Sequence, residues 1–600
     1  MKIKIILYVL VIIIAPAYLF SSEGKSDLFR DKIDDSTSIV KTPEILVTAP
    51  RTSMQLKQNP AATSIVGQDV LSSLPREASV AEALMLVPGV RIDDQANGSR
   101  VHMSIRGEGI LSEHGFRGIK VILDGIPLND PTGFAPDLYD VDWENVSKIE
   151  VLRGSAAAFY GGGGTGGVLN IMTKSGFDQP EAFASIGSNG YWKGQVRVGG
   201  VSENTDYSLS LSRMFGQGYR THSQFNADNI YGKINWKPSE KLKLTQIVSY
   251  TNYFNQNAEG LPLDTVLVNP RAPNPDAEPK DEYQGTERFT GAILGNYEIT
   301  AQQNLSFNAY IRKTSYIEPG SQYIWHQQYL TPGASIQYNL HHGEGWLQNN
   351  ISAGFDFQTQ TINENTVNNL GSANNGTTDV KEDSVLQSNE RIDQYGIGAF
   401  AIDRLELGKE WGVMLSLRYD KINNKLTDLM PRTPNESGSA NFDKATARLG
   451  VAYTPMSELN LYANWGQGFL PPATEELISN PVQIGGFNTA LSPSTSSGEE
   501  VGARGAVSSN LYYDVAFFYL TTDKDFDRFR MSDRPLETFY RNAGSSKRYG
   551  LEAFLSWSPV KPMSVQLAYT YSHFRYTAPD TINGNWLPNS PEHQLALDIS

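Results

Sequence analysis

An all-β membrane-spanning barrel preceded by a smaller α+β domain is the fold class this sequence predicts, on three observations. Hydrophobic residues make up 40% of the 600 positions and aromatic residues 10%, yet beyond the N-terminus no apolar run reaches the ~18 residues a helical span needs. From Glu181 onward, segments alternate apolar and polar residues with a period of two: LNLYANW (Leu459 to Trp465) sets Leu459, Leu461, Ala463 and Trp465 against Asn460, Tyr462 and Asn464, and SVQLAYTYS (Ser564 to Ser572) sets Val565, Leu567, Tyr569 and Tyr571 on one face. The connections alternate in length, and short turns at one end with long loops at the other describe an outer-membrane barrel rather than a soluble sandwich.

Taken in order, Lys2 and Lys4 precede a mostly apolar run from Ile5 to Phe20 and the small residues Ser21-Ser22. Residues 1–22 therefore read as a secretory signal peptide, with no cysteine to make it a lipoprotein signal. Residues 23–54 form a polar tail holding one extended, β-prone segment, Glu44-Ile45-Leu46-Val47-Thr48-Ala49, bounded by prolines. Such a segment suits strand addition to a partner's sheet edge; an ordinary first strand of the next domain is the other reading.

A mixed domain follows over 55–178. Val80, Ala83, Leu84 and Val87 have helical spacing, and Pro88-Gly89 ends the helix. Short strands come next, joined by three polar loops at about 93–100, 109–117 and 129–139. The domain ends on Ile149 to Lys174, where a strand, a small-residue turn, six glycines among Gly161 to Gly167 and a second strand succeed one another. So many glycines call for backbone packed tightly against another wall; no Lys-Ser/Thr follows to make a phosphate loop.

The barrel domain, 179–600, has tight turns near Ser202, Pro238, Gln302, Gly343, Gly408, Pro455, Ser508 and Val560. Long polar connections are expected over Asn255–Glu287, Thr361–Glu390, Phe469–Ser496 and Asp523–Ser545.

In order and spacing, SIRGEG (Ser104 to Gly109), VILDGIPLND (Val121 to Asp130) and WENVSKIEVLRG (Trp143 to Gly154) resemble the plug domain of TonB-dependent outer-membrane receptors, over residues 44–175. The resemblance implies a plug inside a barrel of about 22 antiparallel strands when complete. About 18 are countable here, so the sequence reads as lacking its C-terminal strands. Glu44 to Ala49 is similar to the TonB box, implying the inner-membrane energy transducer TonB as partner. Arg106 and Arg153 match plug arginines that face two barrel glutamates, for which Glu500 and Glu552 stand here, an ionic plug–barrel lock.

The resemblance places the ligand floor on the three plug loops, with Asn97, Arg100, Glu113, His114, Phe116, Asn129, Asp130, Phe134 and Tyr139 as candidate contacts. A ferric siderophore is the implied cargo; haem, cobalamin, another metal complex or an oligosaccharide stay open, as does a surface-adhesion barrel. GQGFLPPATEEL (Gly466 to Leu477) is similar to the stretch opening a large outer loop, without the arginine and histidine seen in haem receptors. No nucleophile elbow or zinc motif appears, so neither an enzyme, a cofactor nor a resident metal is expected. The net charge of −15 gives no reason for nucleic-acid binding; outer-membrane lipid and lipopolysaccharide are the expected surroundings.

Overall fold

The computed structural model describes residues 46–73, 80–94, 100–109, 115–135, 137–177, 179–372, 380–430, 435–478, 480–482, 486–560 and 562–600. The expected signal peptide and most of the polar tail lie outside them.

The first domain begins with β1 (Leu46–Val47) paired antiparallel to β2 (Met54–Gln55). Next come β3 (Thr63–Gly67), α1 (Gln68–Ser73), α2 (Val80–Leu84), β4 (Val90–Asp94), β5 (Val101–Ile105), β6 (Ile119–Leu123) and β7 (Ile126–Pro127). It closes with β8 (Val146–Arg153), α3 (Ala157–Tyr160) and β9 (Gly167–Thr173). The central sheet has the order β3-β8-β9-β6-β7, with β6 and β9 parallel, and β4-β5 is a separate hairpin. The α2 residues Val80, Ala83 and Leu84, with Val87 after it, are buried at the helical spacing read above. The segment expected as a small-residue turn is the single-turn helix α3, which its alanines favour.

Eighteen antiparallel strands, β10 (Glu181–Ile186) to β27 (His593–Ile599), form one sheet in sequence order around this domain. Their alternation is inverted relative to a water-soluble sheet. In β20 (Trp411–Asp428), Leu415, Leu417 and Tyr419 are 41%, 51% and 50% exposed, whereas Ser416, Arg418 and Asp420 between them are buried. Apolar residues face outward to lipid and the polar set faces the filled lumen, as a membrane barrel requires.

Turns and loops fall largely where the sequence places them, with two corrections. Thr361–Glu390 is mostly strand: β18 (Leu347–Ser372) and β19 (Val380–Leu407) stay paired well past it, with Thr366 opposite Ser388. Asp523–Ser545 is likewise mostly strand, since β24 (Leu511–Met531) and β25 (Arg534–Trp557) continue to a tight turn. Beyond the membrane neither face meets lipid, so the apolar alternation that announces a strand disappears while the ladder persists. The other two are true loops: 257–282 carries the helix α4 (Leu263–Val268), and 471–493 carries α5 (Thr474–Leu477).

The glycine run is packed as its composition demands. A Cβ on Gly163 would lie 2.5 Å from the Gly133 Cα, and one on Gly167 would lie 2.1 Å from the Leu152 carbonyl oxygen. Gly163 also has φ +86°, outside the comfort of any residue with a side chain. Gly163→Ala should therefore destabilise the first domain by about 1–3 kcal/mol, the scale of a strained backbone position, while leaving the barrel intact. Limited proteolysis of the purified protein, with the barrel's heat-modifiable gel migration as internal control, measures this.

Candidate functional site

The first domain fills the barrel, and wall side chains satisfy its backbone. Asn460 Nδ2 donates to the Lys57 carbonyl at 2.7 Å, Asn464 Nδ2 to Pro60 at 2.9 Å, Ser416 Oγ to Ala158 at 2.8 Å and Gln358 Nε2 to Asn129 at 2.7 Å.

Plug and wall are joined by several charge contacts, Asp142–Lys193, Asp124–Lys233 and Asp140–Arg288 among them, and three further clusters bear on the site. In the first, Arg106 holds Glu552 with two parallel bonds, Nε to Oε1 at 2.8 Å and Nη2 to Oε2 at 2.7 Å. Arg153 Nη1 reaches the same Glu552 Oε2 at 2.7 Å, and Arg106 Nη2 lies 2.6 Å from Glu500. Burial works against the Arg106 charge, but Glu552 and then Glu500 outweigh it and hold the guanidinium above its ordinary value. The four residues named for a lock thus meet, with Glu552 as the hub and Arg153 turned to Glu552 rather than Glu500.

The second cluster escaped sequence reasoning: Glu108 pairs with Arg548 and accepts a bond from Thr522 Oγ1 at 2.9 Å, and Arg117 Nη2 reaches Glu476 in α5 at 2.9 Å. Glu108 stands inside the SIRGEG motif and Glu476 inside GQGFLPPATEEL, so both lay within recognised stretches without a partner to point at them.

The third cluster surrounds β1. Thr48 N and Ala49 N donate to Glu150 Oε2 at 2.9 and 2.7 Å, and Lys148 holds the other oxygen, Oε1, at 2.8 Å. Just after the segment, Arg51 makes a bidentate pair with Asp356 of β18, both bonds 2.7 Å. Val47 and Ala49 are fully buried, while Leu46 is half exposed. Of the six residues given to the box, Leu46 to Ala49 are thus docked on the plug; Glu44 and Ile45 lie outside the described residues.

The expected ligand contacts need correction. Asn97, Glu113 and His114 lie outside the described residues. Phe116 is fully buried because its backbone exchanges two hydrogen bonds with Ala135, at 2.7 and 3.0 Å, which stitches two plug loops together and sends the ring into the plug core. Asn129 is spent on three bonds, accepting from Val121 N and donating to the Ile119 and Gly133 carbonyls. Tyr139 stacks on Tyr253 of the wall with ring centroids 4.0 Å apart. Arg100 is buried against Asn257 of the 257–282 loop. Asp130 caps its own loop through Thr132 N at 2.8 Å and Phe134 N at 3.0 Å; burial raises its carboxyl above the usual range. Phe134 is partly exposed. In this conformation most of these side chains build the floor from within rather than present it.

Fold and site together define an outer-membrane barrel closed by a plug. Residues 235–600 match the family model "TonB dependent receptor-like, beta-barrel" and residues 55–168 match "TonB-dependent Receptor Plug Domain". The chain belongs to the TonB-dependent receptor family, whose members are outer-membrane proteins. It is 26% identical to a vitamin B12 transporter of Photobacterium profundum over 212 residues, 34% of either chain. With the rhizobactin receptor of Rhizobium meliloti it shares 20% identity over 525 residues, 78% of this chain and 69% of the relative. The chain thus spans about a third of the first relative and about two thirds of the second. Among solved structures, the unliganded ferric citrate transporter FecA superposes with a TM-score of 0.74 at 18% identity, covering 91% of this chain and 82% of that one.

Two outcomes follow from these clusters. Removing one partner of a buried ion pair costs about 3–5 kcal/mol because the other charge is left unpaired. Arg153→Ala should therefore couple strongly to Glu552→Ala and only weakly to Glu500→Ala in double-mutant cycles of plug stability. Glu476 supplies the second. Burial pushes its carboxyl up to about 7, and Arg117 only partly opposes this. A carboxyl raised in the docked state favours docking when protonated. Seating of the 471–493 loop should thus be firmest below the ordinary glutamate range and weaken as pH rises to about 7, read by a spin label at Val482.

Proposed function

We propose that this receptor imports a scarce metal chelate, a ferric siderophore, across the outer membrane, with TonB supplying force at residues 44–49. The observation that carries this reading is a short extended segment, β1, anchored on the periplasmic side of a plug that fills its own channel. A filled channel passes no solute passively, and the outer membrane holds no nucleotide supply, so work has to arrive by contact with a partner. Once undocked from the plug, a β-prone segment offers backbone hydrogen bonds to such a partner's sheet edge.

The plug makes the transport step a movement of protein rather than diffusion through a pore. Its grip on the wall combines apolar contacts, such as Val47 and Ala49 in one cluster with Phe400, Ile402 and Met414, with polar contacts that exchange for water at modest net cost. Glu552 binds two plug arginines at once, so it is the contact whose release frees the most. The chain's own residues thus hold the plug, offer a handle and floor the outer loops; the cargo supplies the metal.

The siderophore assignment is supported by the names of similar proteins, among them a ferric citrate transporter and a siderophore receptor of Acinetobacter baumannii. A corrinoid is the second reading, favoured by the 26% identity with a vitamin B12 transporter. Growth of a deletion strain on a panel of iron sources and on cobalamin separates the two. Strand pairing by the box demands backbone donors, so Leu46→Pro or Val47→Pro should abolish uptake while surface binding of the cargo stays near normal. Val47→Ala should be milder. Normal transport by the proline variants would remove the box from the mechanism.

A further inference from the structure

Between the plug and the wall formed by β16 (Gln303–Pro319), β17 (Tyr323–His342), β18, β19 and β20 lies a polar cavity of about 90 Å³. Its charged lining is Arg51 and Lys120 from the plug with Asp356, Arg418 and Asp420 from the wall. Four of these five are mutually satisfied: Arg51 with Asp356 at 2.7 Å, Arg418 with Asp356 at 2.5 Å and Arg418 with Asp420 at 2.8 Å. Lys120, in β6, is the exception. It is 8% exposed, faces the cavity, and makes no hydrogen bond or ion pair among the described residues.

The balance of the lining is therefore three cations against two carboxylates, one positive charge in excess. An ammonium buried without a partner is costly, and native proteins rarely leave one so. The volume admits several waters or one small polyatomic anion. An anion would meet a point charge in Lys120 and the edges of two guanidiniums already oriented by their own carboxylates. Further round the wall, Glu552, Glu500 and Arg548 meet their plug partners in direct ion pairs.

We propose that this cavity is an internal anion site, holding one carboxylate group or small oxyanion on Lys120 between the plug and the β16–β20 wall. The titratable neighbours fix its pH behaviour. Burial, and then Arg418, push the Lys120 ammonium down to about 8, opposed by Asp420, Asp356 and Asp130. Arg51, Tyr160 and Tyr310 also line the space. Lys120 is charged below about 8, so the anion should bind below that pH and be released as pH rises through it.

Thermal unfolding of the purified full-length receptor in detergent tests the site, with acetate or inorganic phosphate titrated at fixed ionic strength. The probe binds the folded state alone and should raise Tm saturably at pH 7. The rise should vanish at pH 10 and in Lys120→Met and Lys120→Gln. Without added anion, Lys120→Met should melt no lower than wild type, since it removes an unpaired buried charge, which keeps its baseline readable. No saturable rise in wild type, or an equal rise in both variants, overturns the proposal: the cavity then holds water only. Uptake by intact cells separates the two sources of the anion, an arm that rests on the import reading. Unchanged uptake in Lys120→Met assigns the site to a free anion; slower uptake at unchanged surface binding assigns it to a carboxylate of the cargo.

Discussion

A folded domain inside a barrel must satisfy its backbone without water, and the rest of this structure depends on how that is done. The lumen wall carries amide, guanidinium and hydroxyl donors at inward positions, and they end on plug carbonyls at Lys57, Pro60, Asn129, Ser155 and Ala158. The choice of polar contact has a consequence. Exposing an apolar interface costs about 25 cal/mol per Å², whereas broken hydrogen bonds are re-made with water at a net cost near 1 kcal/mol each. A plug held this way is specific in its seating and still able to leave it.

The wall grips the plug at several places. Glu500, Glu552 and the Glu108–Arg548 pair place direct charge contacts on β23 (Ser494–Ser508) and β25, and Lys193–Asp142, Lys233–Asp124 and Arg288–Asp140 place others on the earlier strands. The strands β16 to β20 meet the plug over a cavity, with Arg51–Asp356 as a direct ion pair there. The same arrangement explains the outward loops. Arg100 ties one plug loop to Asn257, and Arg117 ties another to Glu476, so the floor and the outer loops are already joined before any cargo arrives.

Much of the barrel was legible because lipid imposes a strict period of two, from which strand number and the tight turns follow; the plug was legible from its glycine run and motifs instead. Legibility ended where lipid ends. The hairpins β18-β19 and β24-β25 rise beyond the membrane with polar residues on both faces, and their ladder leaves no trace in composition. At the site, the arginine–glutamate set was readable because its members sit in recognisable motifs. Phe116, Asn129 and Tyr139 were misjudged because a loop residue's type does not say whether it faces water or its own core; the Phe116–Ala135 backbone bridge decides that, and no local pattern encodes it. Arg51–Asp356 spans 305 positions, and Lys120 is notable only for lacking a partner, a property that exists in three dimensions alone.

The glycine-flanked strand β8 ties these observations into one device. Glu150, three residues before Arg153 on the same strand, holds the backbone of Thr48 and Ala49. Arg153 holds Glu552 of the wall. One short strand thus carries both a clasp on the Thr48–Ala49 backbone and a clasp on the barrel. Contiguity alone does not make coupling; an element with two arrangements does. The docked form of β1 is held by two residue pairs with β2, by the Glu150 carboxylate, by burial of Val47 and Ala49 and by the Arg51–Asp356 pair just after it. Any shift of β8 that loosens Arg153 also displaces Glu150, because a strand in the middle of a sheet moves as a unit. The hold on the Thr48–Ala49 backbone and the hold on Glu552 of the wall therefore share one strand.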